Sequence, residues 1–235
     1  MGWLITQLER FFAPENLGLL WQSIAMTLGL TFLGCGVGFA LAFLVAIARQ
    51  SPGWSMLPVK IVAIAFVEIF RRIPFLVITY LVLFFLAVLI KGASLFMIAI
   101  VAICIYATAY LSEIIRAGIE SVPRQQIEAA AAMNFSRWHT LTHVVLPQAM
   151  PVIVPPAVAF MIAFIKDTSL VSQIGVFELS FRGKELVNQG MSGLFVFAMI
   201  SLIYFLLSYP LTKLGRWLEI RLAASRSHGP LRQLR

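Results

Sequence analysis

Residues 24–48 carry no charged side chain, and a run of that length exceeds the roughly 20 residues that cross a hydrocarbon core of about 30 Å as a helix. Nothing else in the chain constrains the fold as much. A backbone inside lipid must satisfy its own N–H and C=O groups, which only a helix or a closed barrel achieves. Residues 74–90, 94–111, 147–165 and 194–212 are also free of charge. With 60% hydrophobic and 12% charged residues and a mean hydropathy of +0.93, the chain has too little polar surface to clothe a soluble core. The sequence predicts an all-α integral membrane protein with about five transmembrane helices.

The net charge of +8 does not indicate nucleic acid, because the basic residues are scattered between the apolar runs and gathered after the last of them. Cys35 and Cys104 lie inside apolar runs, so neither a disulfide framework nor a zinc site is indicated. Glu9 and Glu15 precede a full-length span, which is not the pattern of a cleaved signal peptide. Gly34 and Gly38 have the GxxxG spacing that lets helices approach closely, and Gly29 and Gly36 join them in span 1.

Span 2 is interrupted. The apolar region 61–90 contains Glu68, Arg71, Arg72 and Pro74, which allows a long helix kinked at Pro74 or an interfacial helix leading into a shorter span over 74–90. Glu68 and Arg71, three apart, can pair on one helix face, or stand on a substrate path. Lys91-Gly92 makes a turn, and span 3 over 94–111 runs on into a charged helix, residues 112–120. Span 4 contains Pro147, Pro151, Pro155 and Pro156 and is expected to be bent or locally unwound, a backbone tolerated only against protein or a water-filled cavity. Lys166, Asp167, Thr168 and Ser169 follow it directly, as an interfacial pair holding a loop or as groups that gate or contact a zwitterion. Glu178 and Arg182, four apart, are expected to pair.

Five spans put the termini on opposite sides, and the excess of cations on cytoplasmic loops chooses the orientation. With the C-terminus inside, Arg49, Lys60, Arg71, Arg72, Arg116, Arg124 and Arg137 are cytoplasmic together with the tail's Lys213, Arg216, Arg221, Arg226, Arg232 and Arg235. Arg10, Lys91, Lys166, Arg182 and Lys184 are outside, a balance of 13 to 5. The tail, residues 219–235, is then a solvated extension touching lipid headgroups.

The segment between spans 3 and 4 thus faces the cytoplasm, and it carries a pattern. Glu128-Ala129-Ala130, three residues, Asn134, nine residues, Val144-Val145-Leu146-Pro147 resembles the EAA loop of ABC-importer permease subunits, in which Gly stands where this chain has Asn134 and Ile where it has Val144. Asn is the next best residue for a left-handed turn between two short helices. Glu68-Ile69-Phe70-Arg71-Arg72-Ile73-Pro74 is similar to the E-x-x-R-G-T-P stretch of the polar amino acid branch, with Arg72 for Gly and Ile73 for Thr. Residues 112–123 match that branch almost throughout, and Lys166-Asp167-Thr168-Ser169-Leu170 matches its K-D-T-S-L. The likeness covers residues 17–218.

The resemblance implies the type I importer permease fold, with residues 1–235 as one transmembrane domain, 118–146 as the coupling loop, and a site in the bacterial inner membrane with the N-terminus outside. It implies docking of ATPase subunits on Glu128, Ala129, Ala130, Asn134, Leu146 and Pro147, a second permease subunit, identical or paralogous, and delivery of a polar amino acid by an extracytoplasmic binding protein. Physical reasoning leads the same way: an alanine-rich helix over 125–133 is stable without bulk and can enter a narrow cleft, with Glu128 as a charged contact. The alternative is an exposed connecting helix of good propensity.

The chain has no GxxxxGK[ST] phosphate loop, so it is not expected to be an enzyme or to bind a cofactor, and ATP and Mg belong on the partner. His139 and His143 have helical metal-pair spacing without the HExxH glutamate and are read as surface residues. Asn134-Phe135-Ser136 on the cytoplasmic side is no glycosylation site, and Gly2 with Thr6 on an outward N-terminus is no myristoylation signal. A secondary transporter using intramembrane charged residues is the rival reading, weakened because the acids cluster near span ends and no repeat is evident.

Overall fold

The computed structural model describes residues 2–50 and 56–226, and every described element is helical. α1 (Gly2–Phe11) is an amphipathic helix with Gln7 and Phe11 buried. Too short to cross a membrane, it lacked the charge-free run by which the spans were read.

α2 (Pro14–Gln50) is span 1, 37 residues long or about 55 Å, and it begins ten residues before Ile24, because residues 16–23 are also uncharged and Glu15 sits acceptably in a helix's first turn. α3 (Leu57–Phe70) and α4 (Phe75–Leu89) are the two halves of the interrupted region, bent by 116°. Proline kinks leave the two halves of a helix roughly continuous, whereas this is a corner, so the helix leading into a shorter span is the correct alternative. Residues Arg71 to Ile73 form its turn, and Pro74 caps α4 with φ −57° and ψ 139°.

α5 (Leu95–Glu120) joins span 3 and the charged helix without a break, its start capped by Ser94 Oγ accepting from Met97 N at 3.2 Å. α6 (Arg124–Ala132) and the short α7 (Arg137–His139) follow, then a π turn over Thr140–Val145 and α8 (Leu146–Asp167). Of the bend or local unwinding expected of span 4, unwinding is absent at Pro151, Pro155 and Pro156, through which α8 is continuous. Pro147 follows directly on the π turn, whose wider backbone gives its ring room. Irregular backbone sits at the two ends instead, in the π turn and in a 3₁₀ segment over Thr168–Ile174 that stops at Gly175, φ 90°. α9 (Leu179–Asn188) leads to α10 (Gly193–Arg226). α10 runs past span 5 because no proline intervenes after Pro210 until Pro230, so the first residues of the expected tail continue the helix. Arg232 and Arg235 lie outside the described residues.

α2, α5, α8 and α10 are each long and apolar enough to cross a membrane, and the α3–α4 pair makes a fifth candidate span. The main core is built from α2, α4, α5 and α8, with Leu30, Ala42, Ile78, Ile103, Ile115 and Ile153 among its buried residues. α2 and α5 run parallel and nearly touch. A Cβ on Gly34 would lie 2.4 Å from Ile103 Cγ2, and one on Gly38 would lie 2.7 Å from Ala107 Cβ. Thr108 Oγ1 donates to the Gly38 carbonyl at 3.3 Å and Cys104 Sγ to that of Gly34 at 3.5 Å.

A second core at the end far from α6 gathers Phe11, Leu20, Leu179, Leu186, Phe195 and Ile200. The expected Glu178–Arg182 pair is replaced here by other partners. Glu178 is the N-cap of α9, so its carboxylate turns back to accept from Phe181 N at 2.8 Å, and it also accepts from the Tyr204 hydroxyl at 2.7 Å. Burial pushes its carboxyl up from the ordinary range while these donors pull it down. Arg182, 2% exposed, bonds Glu185 and Asn16.

Candidate functional site

The Glu128 segment is assembled from backbone up. Pro123, unable to donate, stands at the N-cap of α6 with φ −58° and ψ 136°. Alanines carry the helix to Ala132, and the chain then reverses at Asn134, φ 61°, the one positive-φ residue other than glycine among the described residues. Asn134 N donates to Ala131 O at 2.9 Å and Phe135 N to Ala130 O at 3.0 Å. These are the paired bonds of a Schellman ending with Asn134 as its left-handed residue. Ser136 starts the next helix by accepting from His139 N at 3.3 Å. The expected left-handed turn at Asn134 is therefore present.

Within α6 only Ala130 is buried, 1% exposed. Glu128 and Ala129 face outward, as do Ile127, Met133, Phe135 and Trp138, the last 66% exposed. Leu146 is half-buried at the start of α8 and Pro147 exposed beside it. An anionic residue among clustered exposed apolar side chains is the composition of a protein contact rather than of a solvated loop. His139 and His143 stack ring on ring at 4.8 Å, and His143 Nδ1 is 2.8 Å from Thr142 Oγ1.

Asn134→Gly keeps the turn and is expected to change stability by under about 1 kcal/mol. Asn134→Val forces a β-branched residue to positive φ at a cost of about 1–2 kcal/mol. Hydrogen exchange at the amides of Asn134 and Phe135 checks both: faster exchange in the valine variant, little change in the glycine variant.

The other candidate residues lie elsewhere. Phe164 packs against Tyr106 at 5.7 Å, near the middle of α5, and against Phe75 at 5.0 Å. Lys166 to Ser169 follow directly on this packed segment, where α8 gives way to the 3₁₀ segment. Lys166 and Asp167 are exposed and Thr168 is buried, its hydroxyl donating to Ile165 O at 2.7 Å. Lys166 and Asp167 form no ion pair, since successive helix positions diverge by about 100°.

Glu68 pairs with Arg72 rather than Arg71. Arg71, at the C-cap of α3, is turned toward α5: its guanidinium lies 5.4 Å over the Tyr110 ring and 3.8 Å from Glu113 Oε2, and its carbonyl accepts from Tyr110 Oη at 3.0 Å. Spacing alone did not mark Glu113, which accepts from Arg49 Nη1 at 2.7 Å and from Arg116 Nε at 3.0 Å. The i, i+3 and i, i+4 series Glu113, Arg116, Glu120 was the available signal. The 64-residue separation of Arg49 hid the rest.

A model of the family described as "Binding-protein-dependent transport system inner membrane component" matches residues 38–224. The chain belongs to that family. It is 33% identical, over 89% of its own length and 96% of the relative's, to the probable glutamine ABC transporter permease protein GlnP of Bacillus subtilis (strain 168). It is 34% identical to the L-cystine transport system permease protein TcyB of the same organism, over 85% of this chain and 84% of that one. A crystal structure of an amino acid ABC transporter with histidines superposes with a TM-score of 0.80 at 29% identity, covering 88% of this chain and 95% of the other. The fold is that of type I ABC importer permeases, the family is not itself catalytic, and the secondary-transporter reading is set aside.

Proposed function

We propose that this permease carries a polar amino acid, or a derivative of one, inward through the bacterial inner membrane at the expense of ATP hydrolysed on separate subunits. The observation that carries the reading is the α6 loop, an outward-facing alanine helix with Glu128 and a Schellman turn at Asn134. Its small face suits a cleft on an ATPase, with Ala129, Ala130, Leu146 and Pro147 setting its position. The excess of cations on the α6 side supports a cytoplasmic loop and C-terminus and an N-terminus outside. ATP and Mg stay on the partner; this chain binds no cofactor. A second permease, identical or paralogous, completes the path, and an extracytoplasmic binding protein delivers the substrate.

Substrate class is supported by relatives named for glutamine and for L-cystine. A zwitterion needs both signs of charge at depth, and Lys166 and Asp167 are exposed where helix geometry breaks at the end of α8. They gate or contact it, with Thr168 and Ser169 holding the segment.

Uptake of radiolabelled glutamine by proteoliposomes containing the whole complex tests the reading. It is expected to require ATP on the α6 side and binding protein on the other, and to be competed by polar amino acids. Uptake driven by a proton or sodium gradient without ATP would overturn it.

A further inference from the structure

Three guanidinium groups from three separate elements converge on one carboxylate at the α6 end of the bundle. Arg49 comes from the last turn of α2, Arg71 from the α3–α4 corner, and Arg116 from α5 itself. We propose that Glu113, given that α6 is the docking element, is the positioning residue that makes the ends of α2, the α3–α4 corner and α5 move as one body when α6 is displaced.

Displacement of α6 reaches α5 directly, because only Ser121, Val122 and Pro123 separate them. The last turns of α5 also lie on α8, where a Cβ on Gly118 would meet Ile153 Cγ1 at 2.3 Å. Glu113 stands on these same turns and distributes the motion sideways. Toward α2 the link is a close hydrogen-bonded ion pair at 2.7 Å with Arg49, whose side chain is 11% exposed, so water screens it little. Toward the corner the link is looser: the 3.8 Å approach of Arg71, its stacking on Tyr110, and the Tyr110 hydroxyl on its carbonyl.

A cavity of about 250 Å³ lined by Val67, Glu68, Arg71, Arg72 and Tyr110 opens beside that contact. Polar contacts therefore hold the Arg71 side of the corner on α5, beside the apolar packing of Phe70, Ile73 and Phe75 on the core. The Glu68–Arg72 pair satisfies the neighbouring guanidinium within α3 and its turn and leaves Arg71 to reach across. Without the carboxylate, Arg49, Arg71 and Arg116 repel one another, and Arg49 Nε, buried with no partner among the described residues, gains no compensation.

Glu113→Gln tests this in the reconstituted complex and in the permease alone. The complex is expected to assemble and to hydrolyse ATP within about twofold of wild type, while amino acid taken up per ATP falls at least about fivefold. Glu113→Asp, which keeps the charge, is expected to recover most of the coupling. In the permease alone, in nanodiscs, amides of residues 68–73 are expected to exchange at least about tenfold faster in the Gln variant, with the middle of α2 and α5 unchanged. Uptake and ATPase falling in parallel, loss of assembly, or unchanged exchange at 68–73 would each overturn the proposal. If the wild-type chain binds no ATPase, the docking reading fails by itself and Glu113 is judged on the exchange result.

Discussion

Glu128→Lys is expected to leave the permease inserted and folded while it loses its ATPase subunits, with ATP-driven uptake falling at least about tenfold. Glu128 is exposed on α6, two residues before the sole buried position on that helix, Ala130, and so on nearly the opposite face, and makes no ion pair among the described residues. The substitution therefore removes nothing from the monomer's own packing, and a surface change of this kind alters stability by about 0.5 kcal/mol or less. At an interface the same change deletes a charge-assisted contact and presents the opposite sign. Truncating one member of a buried charge pair costs about 2–5 kcal/mol, and about 1.4 kcal/mol already makes tenfold. Co-purification of the ATPase with the tagged permease, beside uptake in proteoliposomes, reads both effects. Wild-type recovery and uptake would remove the docking role from α6.

Local chemistry told what the sequence could tell. Charge-free runs located the spans because lipid penalises a charge wherever it falls, and the alanines with Asn134 located α6 and its ending because helix propensity and left-handed turns are properties of single residues. Choices between equivalent neighbours were not decidable: Glu68 meets Arg71 at i, i+3 and Arg72 at i, i+4, and only the turn of α3 into its corner selects Arg72. Glu178 and Arg182 had the right spacing too, but an N-cap carboxylate bends back to its own helix start.

Partners remote in sequence were out of reach altogether. Arg182 bonds Asn16 and Leu179 N bonds Thr27 Oγ1, 166 and 152 residues away, and these contacts exist only once α9 is laid against α2. The prolines of span 4 did not unwind it, for a related reason. Proline removes one donor and one conformation, yet a helix that is packed on both α5 and α10 stays helical through Pro151, Pro155 and Pro156, with irregular backbone at its two ends.

Gly38→Val is expected to destabilise the permease by about 1–3 kcal/mol, whereas Gly29→Ala on the same helix is expected to be neutral or to stabilise by up to about 1 kcal/mol. The contrast isolates helix contact from helix propensity. At Gly29 a Cβ meets nothing within 4 Å, so alanine adds only its better propensity. At Gly38 a Cβ would lie 2.7 Å from Ala107 Cβ, 3.3 Å from Thr108 N and 3.4 Å from Cys104 O. Two of those neighbours are backbone, which no rotamer change can clear, so α2 and α5 must separate. Separation stretches the 3.3 Å bond from Thr108 Oγ1 to the Gly38 carbonyl and opens the packing of Gly34 on Ile103 one turn away. Lipid supplies no hydrophobic drive to push the helices back together, so close van der Waals contact is what holds this pair. Thermal unfolding of the purified variants in one detergent measures the difference. A Gly38→Val protein that melts with the wild type would mean that α2 and α5 do not approach as closely as these distances require.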